Sequence, residues 1–297
     1  MRPELTQAIG LLRRNSPESV EEAIGLLQNT VYSFSMKVCG HREDAEDTMQ
    51  EVLYRSLGHL ARIDEPKALA VWLYTVTRNR CWRMRRGSNG PRQISLDELM
   101  PDEGELSRLL SDPSPSPESR VLRGEQRDLL RQAILRIPAQ LRIVLVLHDM
   151  EDLDTDEVAQ ILNLQPGTVR VRLHRARLSV RKEISRALED SIPPDKPGKP
   201  RPHGKLRKAN QRPAACRELF ANLSEYLDGR VEPRTCAEMG AHIDSCPNCV
   251  AFLRDLRTAI DRCRSLEENC DPTVLARLRS ALTREYLHML NEPDAKK

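Results

Sequence analysis

The chain's 297 residues have room for two or three modest domains, and with 31% charged and only 3% aromatic residues they favour small units over one large core. Thirteen glycines and little β-branched alternation predict an all-α fold. The net charge of +3 is too small to specify a partner. No run approaches the roughly 18 consecutive apolar residues of a membrane helix, and "MRPELTQAIGLLRRN" lacks the layout of a secretory leader, so a cytoplasmic location away from the membrane is expected.

In chain order, "EDAEDTMQEVLYRSL" places Ala45, Met49, Val52, Leu53 and Leu57 on one helical stripe and leaves Asp44, Asp47, Gln50, Glu51 and Arg55 outside it. By periodicity alone this is an amphipathic helix with a solvated acidic face. The next helix, "EPKALAVWLYTVTRNRCWRMRR", has Pro66 in its first turn and is expected to bury Ala68, Leu69, Trp72, Leu73 and Val76. Its end turns basic through Arg78, Asn79, Arg80, Trp82, Arg83, Arg85 and Arg86. Capping a helix dipole does not need so many arginines, whereas guanidinium groups around an indole suit phosphates and unstacked bases.

"SLDELMPDEGELSRLLSD" followed by "PSPSPES" then reads as an acidic flexible linker over 91–121. "DLDTDEVAQILNLQPGTVRVRLHRARLSVRKEIS" has the pattern of a helix-turn-helix. Thr155 is the expected cap of a helix that turns Val158, Ile161 and Leu162 inward. Asn163 tolerates the left-handed turn. A second helix from Pro166 buries Val169 and Leu173 and exposes Arg170, Arg172, Arg175 and Arg177, as a helix entering the DNA major groove would. A Pro-rich basic linker follows over 191–214.

Six of the eight cysteines (Cys216, Cys236, Cys246, Cys249, Cys263 and Cys270) crowd the last 82 residues. A disulfide framework is not expected in a reducing compartment, so this clustering points to metal or redox chemistry. In "CRELFANLSEYLDGRVEPRTCAEMGAHIDSCPNCVAFLRDL", His242 and Cys246 lie one helical turn apart and "CPNC" aims two thiolates at one point. One Zn2+ held by His242, Cys246, Cys249 and Cys216 is expected, with Cys236 the competing fourth ligand.

The two upstream modules resemble the promoter-melting and minus-35-binding domains of extracytoplasmic-function sigma factors, bacterial subunits that direct RNA polymerase to promoters. The resemblance rests on "EDAEDTMQEVLYRSL", "AVWLYTVTRNRCWRMRR", "LLRQAILRIPAQLRIVLVLHDMEDLDTDEVAQIL" and "PGTVRVRLHRAR", and covers 20–90 and 125–187. It implies two small helical sigma domains, at 1–90 and 122–190. It assigns Asp47, Gln50 and Glu51 to the polymerase β′ clamp helices, and Arg78, Asn79, Arg80 and Trp82 to the minus-10 DNA. Thr168, Arg170, Arg172 and Arg175 go to the minus-35 element, with the β flap as a further polymerase contact. The third module, 215–290, resembles the zinc-binding anti-sigma domain through "LSEYLDG", the ligand motif and "DPTVLARLRSALTREYL".

The combined expectation is a transcription initiation factor, not an enzyme, that acts on core RNA polymerase and promoter DNA with no small-molecule substrate. Its own C-terminal domain is a partner in cis, folding back to restrain it until a redox or metal signal intervenes. The competing expectation is a polymerase-independent helix-turn-helix regulator with a metal sensor.

Overall fold

The computed structural model describes residues 3–60, 62–84, 99, 123–190 and 214–291. The linkers expected at 91–121 and 191–214 therefore lie outside the described residues except for Leu99 and Ala214, as do Arg85 and Arg86. Twelve α-helices and no strand occur among the described residues. They are α1 (Pro3–Leu12), α2 (Pro17–Cys39), α3 (Arg42–Leu60), α4 (Pro66–Met84), α5 (Arg123–Arg136), α6 (Ala139–Leu145), α7 (Thr155–Leu162), α8 (Pro166–Asp190), α9 (Ala214–Leu227), α10 (Pro233–Ser245), α11 (Pro247–Arg264) and α12 (Pro272–Asn291). A π-helical turn, Val146–Met150, follows α6. No described helix is long and apolar enough to cross a membrane.

The chain forms two compact units, one drawn from 1–90, 146–169 and 267–297, the other from 91–145 and 170–266. In the first, α2 is the central element. Ser16 and Ser19 form a reciprocal capping box at its start, Pro17 occupies the first turn, and Gly40 closes it in the left-handed conformation at φ 81°. Helices α1, α3, α4 and α12 all pack on α2, so it is buried nearly all round. Gly25 makes room for α12, because a Cβ there would stand 3.2 Å from the Arg279 guanidinium. The side-chain amide of Gln28, buried in α2, donates to the Leu275 carbonyl of α12 at 3.3 Å.

Helix α3 buries Ala45, Met49, Val52, Leu53 and Leu57, the stripe expected from the sequence. Helix α4 is rotated from its expected phase. It buries Leu69, Ala70, Leu73, Tyr74, Thr77 and Cys81, while Ala68 is exposed and Trp72 and Val76 are half-buried. Tyr74 drives the rotation, for its ring meets Phe34 edge-on at 5.0 Å and its hydroxyl finds a buried acceptor, Glu151.

Helix α7 starts one residue earlier than expected. Asp154, not Thr155, is the cap, accepting from the Asp156 and Glu157 amides while the Glu157 carboxylate accepts the Asp154 N–H at 2.9 Å. A carboxylate here satisfies two amides and also faces the positive helix end, which a hydroxyl cannot match. Asn163 ends α7 in the left-handed conformation at φ 53°. The second unit holds α5, α6, most of α8, and α9–α11. Phe220, Leu223, Ile243, Phe252 and Leu256 gather around Leu178 of α8, joined by Leu99.

Candidate metal centre and nucleic-acid surfaces

Three helices bring the four expected ligands together. Cys216 lies in the first turn of α9 and His242 in the last turn of α10. Cys246 sits at the α10–α11 junction in extended backbone, φ −118° and ψ 98°, and Cys249 lies in the first turn of α11, after Pro247. The extended residue turns the chain sharply, and the Cys249 amide donates back to the Cys246 carbonyl at 3.0 Å. All four ligand atoms lie within 4.8 Å of one another. Cys216 Sγ is 3.4 Å from His242 Nε2 and 3.8 Å from Cys249 Sγ, and His242 Nε2 is 3.3 Å from Cys249 Sγ. Tetrahedral zinc, with Zn–S of about 2.3 Å and Zn–N of about 2.0 Å, sets S···S near 3.8 Å and S···N near 3.5 Å. The quartet fits that ion.

The electrostatics agree. Burial pushes the Cys249 thiol well above its ordinary value, and the neighbouring sulfurs of Cys246 and Cys216 push it further. Burial acts the same way on Cys246, but hydrogen bonds from the Cys249 amide and thiol and from Cys216 outweigh it and hold Cys246 below the usual thiol value. Three sulfurs this close repel as thiolates, and a divalent cation supplies the charge that keeps them deprotonated. Cys236 is exposed on α10 and outside the quartet. Cys263 and Cys270 are buried, also outside it.

Helix α8 carries the basic residues read as DNA contacts. Thr168 and Arg170 are exposed, while Arg172 and Arg175 are half-buried; Arg170 Nε approaches Glu225 Oε1 at 3.6 Å. Arg177, expected in solvent, is only 1% exposed. Its guanidinium grips both carboxylate oxygens of Asp228, at 2.8 and 3.1 Å, and donates to the Ser224 carbonyl at 3.3 Å. One turn on, Arg181 pairs with Asp255 at 3.0 Å and lies 4.6 Å over the Phe252 ring. His174 Nδ1 meets Ser224 Oγ at 3.0 Å. Burial, reinforced by Arg177 and Arg175, lowers the His174 pKa to about 4, so the ring is neutral at physiological pH. His174, Arg177, Leu178 and Arg181 thus form one face of α8, and α9 and α11 cover it. The i, i+3, i+4, i+7 spacing sets these four residues on one face, but a face with three basic side chains reads as a solvated one.

The sequence reading also passed over Val171, which is 54% exposed on α8, between Arg170 and Arg172 and one turn before Arg175. An exposed branched apolar side chain amid arginines suits a thymine methyl in the major groove. Val171→Ala is expected to weaken binding to a thymine-bearing duplex by about 1 kcal/mol, and to lose that difference when the thymine is replaced by uracil. Competition binding against a randomised duplex library checks this, and an unchanged base preference counts against it.

In the first unit, Asp47 and Gln50 are exposed on α3, with Tyr54 bare on the same side. Glu51 is half-buried and engaged by Arg55 at 2.9 Å and by Arg80. A residue read as a polymerase contact is therefore paired with one read as a DNA contact. Arg78 donates to the Ile161 carbonyl at 2.7 Å and to the Asn79 side chain at 3.1 Å. It also stands 5.3 Å from the ring centre of the exposed Trp82. Burial lowers the Arg78 pKa from its ordinary value, and the group stays charged.

Comparison with known proteins runs in parallel. Residues 24–89 match the family "Sigma-70 region 2", residues 127–180 "Sigma-70, region 4", and residues 216–249 "Putative zinc-finger". The ECF RNA polymerase sigma factor SigW of Bacillus subtilis is 26% identical over 183 residues, covering 61% of this chain and 96% of that one. The "Probable RNA polymerase sigma factor RfaY" of Xanthomonas campestris is 30% identical over 173 residues, covering 58% of this chain and 42% of that one. Among solved structures, the sigma factor RpoE in complex with the anti-sigma factor NepR from Bartonella quintana is similar at a TM-score of 0.37 and 17% identity, over 56% of this chain and 94% of that chain.

Proposed function

The chain belongs to the extracytoplasmic-function sigma factors of the sigma-70 family, with a zinc-finger-like module at its C-terminal end, and from that premise we propose a sigma factor restrained by its own zinc module. On this reading 1–90 docks on the polymerase and melts the minus-10 DNA, 122–190 reads the minus-35 element and meets the β flap, and 215–290 is the restraint. Asp47, Gln50 and Glu51 face the β′ clamp helices. Arg78, Asn79, Arg80 and Trp82 face the minus-10 strand, while Thr168, Arg170, Arg172 and Arg175 face the minus-35 duplex. Cys216, His242, Cys246 and Cys249 hold one zinc ion.

The observation that carries the restraint is the burial of Arg177 against Asp228 and Ser224. A guanidinium on the recognition helix is withdrawn from solvent and from any phosphate, and its partners come from α9 and the turn after it. His174 and Arg181 are withdrawn in the same way. The exposure of Asp47 and Gln50 fits a restraint that acts on DNA reading more than on polymerase docking. Zinc supplies the cross-link that lets so small a module hold its shape. Peroxide, by taking two electrons from a pair of the thiols to form a disulfide and two waters, would remove two ligands and free the ion.

A polymerase-independent regulator is not favoured, since it leaves the match of residues 24–89 to sigma-70 region 2 without a role. The test is reconstitution of the full chain, zinc-loaded and zinc-free, with bacterial core polymerase on a promoter library. Transcripts from defined promoters that core polymerase alone does not make are expected. Failure to bind core polymerase, or transcripts indistinguishable from those of core alone, overturns the reading.

A further inference from the structure

A second set of self-contacts needs neither the zinc quartet nor α9–α11. Within the first unit, α7 lies against α4, and the π turn before it lies against α2. At the centre of this contact Lys37 Nζ is 3.0 Å from Glu151 Oε1, and both side chains are 0% exposed. Tyr74 donates its hydroxyl to the other carboxylate oxygen, Glu151 Oε2, at 2.7 Å. Glu151 is held in place as its amide bonds back to the Val146 carbonyl at 2.9 Å, closing the π turn. At the rim, Lys67 approaches Glu157 at 3.6 Å. Arg78 donates to the Ile161 carbonyl in the last turn of α7, where the helix dipole places partial negative charge. Two lysines and an arginine from α2 and α4 thus each meet a carboxylate or a negatively polarised carbonyl of the helix-turn-helix segment.

We propose that α7 and its leading Glu151 are an internal ligand for the basic side of α4, occupying Arg78 so that single-stranded promoter DNA and the chain's own helix-turn-helix compete for it. The proposal rests on Arg78 as a DNA contact, and concerns a layer of closure separate from the zinc module. The chemistry of the contact suits a reversible latch. Burying an ion pair costs nearly as much desolvation as its attraction returns, so the closed state is held weakly and both ions are readily hydrated when it opens. Removing one partner instead leaves a buried charge uncompensated and drives the contact apart. Replacing all three polar groups by apolar ones of similar size removes the desolvation cost and tightens it.

The experiment uses the full zinc-loaded chain. Its two readouts are hydrogen exchange of the amides over 146–162 and fluorescence-anisotropy titration with a short single-stranded oligonucleotide in the absence of polymerase. In Glu151→Ala, exchange over 146–162 is expected to accelerate while α2 and α3 stay protected, and oligonucleotide affinity is expected to rise at least tenfold. In the triple variant Lys37→Met, Tyr74→Phe, Glu151→Leu, both quantities are expected to move the other way, to slower exchange and weaker binding than the unaltered chain. The opposed signs separate a latch from a merely structural pair, because loss of fold would shift both variants alike. Equal oligonucleotide affinity in all three proteins, or faster exchange in the triple variant, overturns the proposal. Failure of the chain to support transcription bears on the sigma-factor reading instead, since neither readout involves polymerase.

Discussion

Chelating the metal from the purified protein is expected to unfold α9–α11 and raise promoter-directed transcription at least tenfold. Zinc contributes on the order of 10–16 kcal/mol to the folding of small zinc modules. The apolar cluster around Phe220, Phe252 and Leu256 belongs to a size class that seldom supplies more than about 5 kcal/mol unaided. Without the ion, the quartet of Cys216, His242, Cys246 and Cys249 becomes a knot of mutually repelling or protonated thiols. Helices α9 and α11 then lose their fixed spacing, and Arg177 and Arg181 lose their partners together. Far-UV circular dichroism should fall as a zinc-sensitive dye reports release of one ion per chain, and run-off transcription should rise over the same titration. One ion released with transcription unchanged would leave the metal site standing and remove the switch. Cys249→Ser should reproduce the chelated state without chelator.

The second large effect is expected from Asp228→Ala. Arg177 is 1% exposed, and its guanidinium meets the two Asp228 oxygens at 2.8 and 3.1 Å. Deleting that carboxylate leaves a guanidinium charge inside the interface, a loss of about 3–5 kcal/mol for a buried pair. The arginine escapes by detaching α8 from α9, the very movement that returns it to solvent. Affinity for a minus-35-type duplex should therefore increase by about two orders of magnitude, since 1.4 kcal/mol is a factor of ten. Asp228→Asn keeps the acceptor and the shape but not the charge, and should fall between the two. If anisotropy titrations give all three proteins the same duplex affinity, Arg177 is structural and the restraint lies elsewhere.

What the sequence conveyed and what it concealed divide along one physical line. The α3 stripe was legible because a helix with one buried face repeats its apolar residues at a single period. The clustering of the Cys/His quartet was legible because its densest part is local, with His242, Cys246 and Cys249 held by two turns of chain, whereas bringing in Cys216 and not Cys236 required α9 to fold back onto α10. Arg177 follows the pattern of a solvated basic face, yet Ser224 and Asp228, 47 and 51 residues away, hold it inward. Likewise α4 buries Tyr74 and Thr77 in place of Trp72 and Val76, as its deepest polar partner, Glu151, lies 77 residues on. Buried charges escape periodicity arguments, because those arguments place all charge outside.

The Gln28–Leu275 hydrogen bond and the close approach of Arg279 over Gly25 bear on how this protein is born. The first unit takes α1–α4 from the start of the chain and α12 from its end. At the usual 5–20 residues per second of synthesis, roughly 10–40 s pass between the emergence of α4 and that of α12. For that interval the surface of α2 around Gly25 and Gln28 is without the helix that will cover it. A newly made copy is therefore open before it is ever closed, and α12, made long after α4, completes the packing of α2.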